Sequence, residues 1–186
     1  LSSVVLATML ALGPWVGGQL QASPPVDESS AGDSQFARRY TNEMLLNDES
    51  KRKDFVEQFL RVESGFLRPG VGYNAVSGLT YDGRHIDFDT GELRGFPKNW
   101  SAPSKESLHV MVLALAVDGD KSAQILISPE NPRDARRQAL DILRRKITSY
   151  EKFHRKYPGF GGFLPWFVVS DHGMEPTWDW EDRVPA

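Results

Sequence analysis

Two indole rings and three carboxylates fall within five consecutive residues near the end of the chain, Trp178-Asp179-Trp180-Glu181-Asp182, and Arg183 follows them. A carbohydrate site needs both kinds of group. Flat aromatic faces stack on the apolar face of a sugar ring, while carboxylates accept from its hydroxyls or move protons. Arg183 could orient one of the acids. From Tyr157 to Ala186 the sequence is dense in Gly, Pro and aromatic residues, which argues against a regular helix. Such a loop is costly to expose and is expected to be buried or to line a cleft. Two readings fit these residues. The rings and acids form a site, or the rings plug the end of a domain while the acids face water. Trp178 and Trp180 share parity, so an extended backbone would turn Asp179 to the opposite side. An irregular loop is therefore expected if all three act on one sugar.

Other clusters carry less. Asp87-Phe88-Asp89-Thr90-Gly91-Glu92 lacks the third acid of a calcium loop and places its glycine one position early, so a turn is the better reading. His85, His109, His154 and His172 show no metal-ligand spacing, and the absence of cysteine excludes thiolate sites and disulfides. His109 lies on an apolar stretch, where it is either a hydrogen-bonded core residue or the lining of a cavity. There is no Gly-x-Ser-x-Gly elbow, and no Lys or helix start follows Gly159-Phe160-Gly161-Gly162. Asn99-Trp100-Ser101 is a glycosylation sequon.

The elements that would position these groups are helical. Residues 35–47 and 51–67 carry apolar side chains at helical spacing around the polar break Asn47-Asp48-Glu49-Ser50, as one helix or two. Ser104 is the expected N-cap of a third helix, with Glu106 at the positive end of its dipole. Every residue from Val110 to Val117 is apolar, which places this helix inside a structure larger than a small bundle, and Asp118-Gly119-Asp120 stops it. A fourth helix is expected from an Asn131 cap, with Pro132 at its first position, to about Arg155. Ala139, Ile142, Leu143, Ile147, Tyr150 and Phe153 form its stripe, and Arg and Lys fill the other face. Residues 78–95 read as a β-hairpin, with Asp89-Thr90-Gly91 as turn chemistry.

The bulk composition fits a globular protein without a polyanion-binding surface. The 186 residues hold 22 basic and 25 acidic side chains, a net charge of −3, so nothing points to nucleic acid or an anionic membrane. Residues 1–22 pair an apolar run with Gly13-Pro14 and a small-residue end, the pattern of a secretory signal peptide without its basic start. A membrane anchor or a buried helix is the other reading, and the Pro, the Gly pair and the short apolar run argue against a membrane span. Residues 23–33 read as a disordered leader. The expected protein is secreted, monomeric and free of membrane once the signal is cleaved.

Four segments in this order resemble the N-terminal half of the fungal endo-β-1,2-glucanases of glycoside hydrolase family 162. They are Gly78-Leu79-Thr80-Tyr81-Asp82-Gly83, Ser104-Lys105-Glu106-Ser107-Leu108-His109, Tyr157-Pro158-Gly159-Phe160-Gly161-Gly162-Phe163-Leu164-Pro165-Trp166-Phe167, and Trp180-Glu181-Asp182-Arg183-Val184-Pro185-Ala186. The resemblance spans roughly residues 33–186, judged against the length of a typical domain. It implies a mainly α fold, a partial (α/α)6 toroid with a small β-hairpin excursion. It also implies endo-cleavage of linear β-1,2-glucan to sophoro-oligosaccharides with inversion, no metal and no cofactor. Carried over residue by residue, Asp179 becomes a cleft residue and the candidate catalytic group. Trp166, Trp180, Arg183 and His109 become candidate substrate contacts. Such domains are longer than this chain, so the main acid and base are expected beyond Ala186 and the isolated chain is expected to be inactive and marginally stable. A non-catalytic carbohydrate-binding paralogue and an exo-acting or transferring relative are the alternatives.

Overall fold

The computed structural model describes residues 33–177; the expected signal segment, nearly all of the leader, and Asp179, Trp180 and Arg183 lie outside them. A 3₁₀ turn at Asp33–Arg39 leads into α1 (Asn42–Asn47) and α2 (Glu49–Ser64). Two helices rather than one form here because Thr41 and Asp48 act as caps. Thr41 Oγ1 accepts from Met44 N at 3.2 Å, and Asp48 Oδ1 accepts from Lys51 N at 3.0 Å. Asp48 thus ends one helix and starts the next.

The hairpin is β1 (Gly83–Ile86) with β2 (Leu93–Lys98), antiparallel, pairing Ile86 with Leu93 and His85 with Arg94. Its turn is organised by Asp87, whose Oδ1 accepts from Asp89 N at 2.8 Å and Thr90 N at 3.0 Å. Those amides hold the Asp87 carboxyl below its ordinary pKa, Thr90 first. The carboxylate is committed to its own turn and to Arg94.

After β3 (Trp100–Ser101) come α3 (Pro103–Asp118), α4 (Lys121–Ile127) and α5 (Ala135–Lys156). Two expected caps are not used. Helix α3 begins at Pro103 with Ala102 as its cap residue, because proline at the first position presets the helical φ one residue earlier than Ser104 would. Asn131 makes no cap bond. Its amide donates to the Asp134 carboxylate at 3.0 Å, so a 3₁₀ turn at Pro132–Asp134 precedes α5. Helix α4 was not foreseen. It is seven residues long, and Asp120, read as a terminator, caps it by accepting from Ala123 N at 2.9 Å.

Helices α3, α4 and α5 enclose one core, in which Leu113 and Ala116 meet Ala123, Ile127, Ala139 and Ile142. A second core lies at the far end of α5. There β4 (Phe167–Ser170) and β5 (Gly173–Pro176) form a three-stranded antiparallel sheet with β3, in the order β3-β4-β5. Phe167, Val169 and Met174 pack on Phe153 of α5 and on Leu79 and Phe160. This sheet, too, was hidden in what reads as an aromatic loop.

Leu113 is fully buried where the three helices meet. Leu113→Ala should lower unfolding free energy by about 3 kcal/mol, the range for a leucine cavity that cannot collapse. Urea titration should show a lower midpoint with an unchanged slope.

Candidate functional site

The sheet has two chemically different faces. Phe167 and Val169 point into the core, so the alternate positions point outward. Trp100 pairs with Val168, and Val168 with Glu175, which puts all three on the outward face. Trp166 precedes β4 with the same parity, is 53% exposed, and its carbonyl accepts from Thr177 N at 3.3 Å. Trp100 is 43% exposed. Two half-open indoles and a carboxylate therefore share one surface. Glu175 is held there by Lys156 at 2.9 Å. Trp100 was visible in the sequence only as part of a sequon; the parity of Trp166 with Val168 was the available signal.

Beneath this face lies a buried polar network. Glu106 of α3 is buried, and its carboxylate accepts from four donors: Thr80 N and Thr80 Oγ1, each at 2.6 Å, Lys146 Nζ at 2.7 Å, and the Tyr150 hydroxyl. Thr80 Oγ1 also shares a hydrogen bond with Ser101 Oγ at 3.0 Å. Burial pushes the Lys146 ammonium down while the Glu106 charge opposes that shift, and burial followed by Glu106 pushes the Tyr150 phenol up. Glu106 has its lone pairs engaged, so it is a structural carboxylate without capacity for proton transfer to a sugar.

Lys146 was read as part of the charged face of α5, and Ile147 as part of the stripe. The structure reverses them: Lys146 is 0% exposed and Ile147 is open to solvent. The buried positions are Ala135, Ala139, Ile142, Lys146, Ser149 and Phe153. Lys146 falls four residues after Ile142, which was the signal.

Of the candidate contacts, the structure describes Trp166 and His109, and it does not bring them together. His109 is buried one turn along α3 from Glu106, with its ring centroid 5.2 Å from that of Tyr73. Neither ring nitrogen has a hydrogen-bond partner among the described residues. Burial, reinforced by the Lys146 ammonium, holds its pKa down to about 3. It is a neutral core imidazole. Among the described residues no group of three or more His, Cys, Asp or Glu could hold a metal ion, and no helix is long and apolar enough to cross a membrane.

An outward aromatic face with a carboxylate, and a scaffold wired to hold it, now has a family to compare with. The family model for endo-beta-1,2-glucanase SGL, glycoside hydrolase family 162, matches residues 79–186. The chain belongs to this family. It is 44% identical to the endo-beta-1,2-glucanase from Talaromyces funiculosus solved with sophorose, with a TM-score of 0.73. The same figures hold for a mutant endo-beta-1,2-glucanase from Talaromyces funiculosus solved with beta-1,2-glucan. Each match covers 81% of this chain and 30% of the solved one. No curated protein sequence matches.

The neutral state of His109 carries a pH dependence. Its folded pKa lies below the ordinary value, so between about pH 6.5 and pH 3 the unfolded chain binds a proton that the folded chain refuses. Stability is unaffected by this group above 6.5 and falls as pH drops, by at most about 1.4 kcal/mol per unit. His109→Phe, which keeps a ring against Tyr73, should flatten the pH dependence of urea midpoints in that window.

Proposed function

We propose that this chain is the N-terminal part of a secreted, monomeric, inverting endo-β-1,2-glucanase, folded as a segment of an (α/α)6 toroid. The observation that carries the reading is the family match over residues 79–186, which takes in the outward aromatic face and the Trp178–Arg183 stretch. The sugars in the solved relatives support β-1,2-linked glucose as the ligand. The solved relatives are more than three times the matched length, so the rest of such a domain is supplied by sequence outside these residues.

The chemistry then divides. Inversion needs an acid and a base on opposite faces of the scissile bond, roughly 6.5–9.5 Å apart to leave room for water. Glu106 is spent on its four donors, and Glu175 is held by Lys156. The described residues therefore serve to shape and line the cleft. Trp166 supplies a stacking face, and Asp179, Trp180 and Arg183 are the further candidates that the sequence supplies. The test is digestion of linear β-1,2-glucan and of β-1,3-glucan by the full-length protein. Short oligosaccharides from the first alone, released initially as the α-anomer, are expected. Failure to shorten the β-1,2-linked polymer refutes the reading.

Three variants separate the roles. Asp179→Asn should lower kcat strongly if that carboxylate orients the sugar or the attacking water. A change within about twofold, under 0.5 kcal/mol, would remove it from the site. Trp166→Ala and Trp180→Ala should mainly raise KM, because stacking stabilises ground state and transition state alike.

A further inference from the structure

At the end of α5 away from the sheet, a cavity of about 640 Å³ opens between α2, α4 and the start of α5. It lies within the size range of small-ligand sites, roughly 300–1,000 Å³. Along α5, Gln138 at the cavity and Phe153 at the sheet are about 22 Å apart at helical rise.

The walls are braced independently of any ligand. Arg61 donates to the Pro129 carbonyl at 2.6 Å and to Glu57 at 2.9 Å, and Gln138 Nε2 donates to Ser128 Oγ at 3.1 Å. Ser64 Oγ donates to the Arg61 carbonyl at 2.6 Å, and the other polar side chains of the lining are uncommitted. Among the described residues, the side chains of Gln58, Arg68 and Glu130 and the hydroxyl of Tyr73 have no hydrogen-bond partner, although all four line the cavity. Tyr73 is 5% exposed, and burial raises its phenol pKa.

The lining selects a ligand class. Arg68 donates, Glu130 accepts, and the Gln58 amide and Tyr73 hydroxyl do both. The free cation and free anion balance, so no net field favours an ionic ligand. A neutral, polyhydroxylated molecule satisfies this set best.

We propose that this cavity is a second sugar-holding site, taking one or two glucosyl units of a neutral glucan. The identity of the sugar rests on the glucanase reading; the site itself rests on the cavity and its free polar groups. Bound there, a glucan strand would be retained at a point well separated from the aromatic sheet face.

Hydrogen–deuterium exchange of the full-length protein with and without sophorose tests the proposal, read peptide by peptide alongside glucan hydrolysis. The expected result is sophorose-dependent protection in residues 58–73 and 127–138. It should be lost in Arg68→Ala and weakened in Tyr73→Phe, and retained in Trp166→Ala. Arg68 is exposed and unpaired, so its removal should leave exchange without sugar unchanged. Protection confined to residues outside those two segments overturns the second site and leaves the glucanase reading standing. So does normal hydrolysis with no protection in either segment, or protection that Arg68→Ala leaves intact. Absence of both protection and hydrolysis overturns both.

Discussion

One buried ion pair governs the geometry of this fold. Glu106 and Lys146 are withdrawn from water on facing helices, which costs several kcal/mol per ion before any attraction is counted. The cost is offset because the carboxylate accepts from four donors rather than one. A pair of this kind adds little to net stability, but removing either partner strands a charge, by roughly 3–5 kcal/mol. Its consequence is positional. The pair ties α3 to α5, and the loop through Thr80 closes over it. Gly78 allows that closure: at φ +75°, a Cβ there would stand 3.1 Å from the Ile142 carbonyl on α5.

The sequence conveyed periodicity well and pairing poorly. α2, α3, α5 and the hairpin were legible because each repeats a local spacing, 3.6 or 2 residues, that needs no partner to be seen. The Asp48 break, the Asp118-Gly119 stop and the Asp87 turn were legible for the same reason. Lys146 was legible only in part: its spacing from Ile142 put it on the stripe, but its burial declares itself only when Glu106, forty positions earlier, is known to face it. β4 and β5 were not, because each is only four residues long and sits among glycines and prolines. Trp166 was found through the family resemblance, while Trp100 needed the pairing of β3 with β4. The Trp178–Arg183 stretch was read by residue type and by that resemblance, and it lies outside the described residues.

α3 shows how one helix serves two environments. Glu106, His109, Leu113 and Ala116 face inward, while Leu108, Met111 and Leu115 form an exposed apolar ridge on another side. A helix buried on one stripe does not need a second. The all-apolar run from Val110 to Val117 was read as belonging to a structure larger than a small bundle, and the ridge is the physical form of that excess. Phe88 and Phe96, 94% and 91% exposed on the hairpin, extend the same pattern away from the helical core.

The buried pair and the aromatic face are mechanically one device. Glu106 holds Thr80, Thr80 holds Ser101, and Ser101 is the inward neighbour of Trp100 on β3. Strand parity then forces Trp100 outward, opposite Val168, and the β4 ladder carries Trp166 and Glu175 onto the same surface. With no disulfide in the chain, that surface depends on burial and on this network for its rigidity. Stacking on a sugar ring rewards a pre-set indole, since a ring that must be ordered on binding returns part of its contact energy as lost entropy. The polar groups of α3 and α5 thus set the outward aromatic face through a strand they do not belong to. That is why a carboxylate with no free lone pair for catalysis still matters to the site above it.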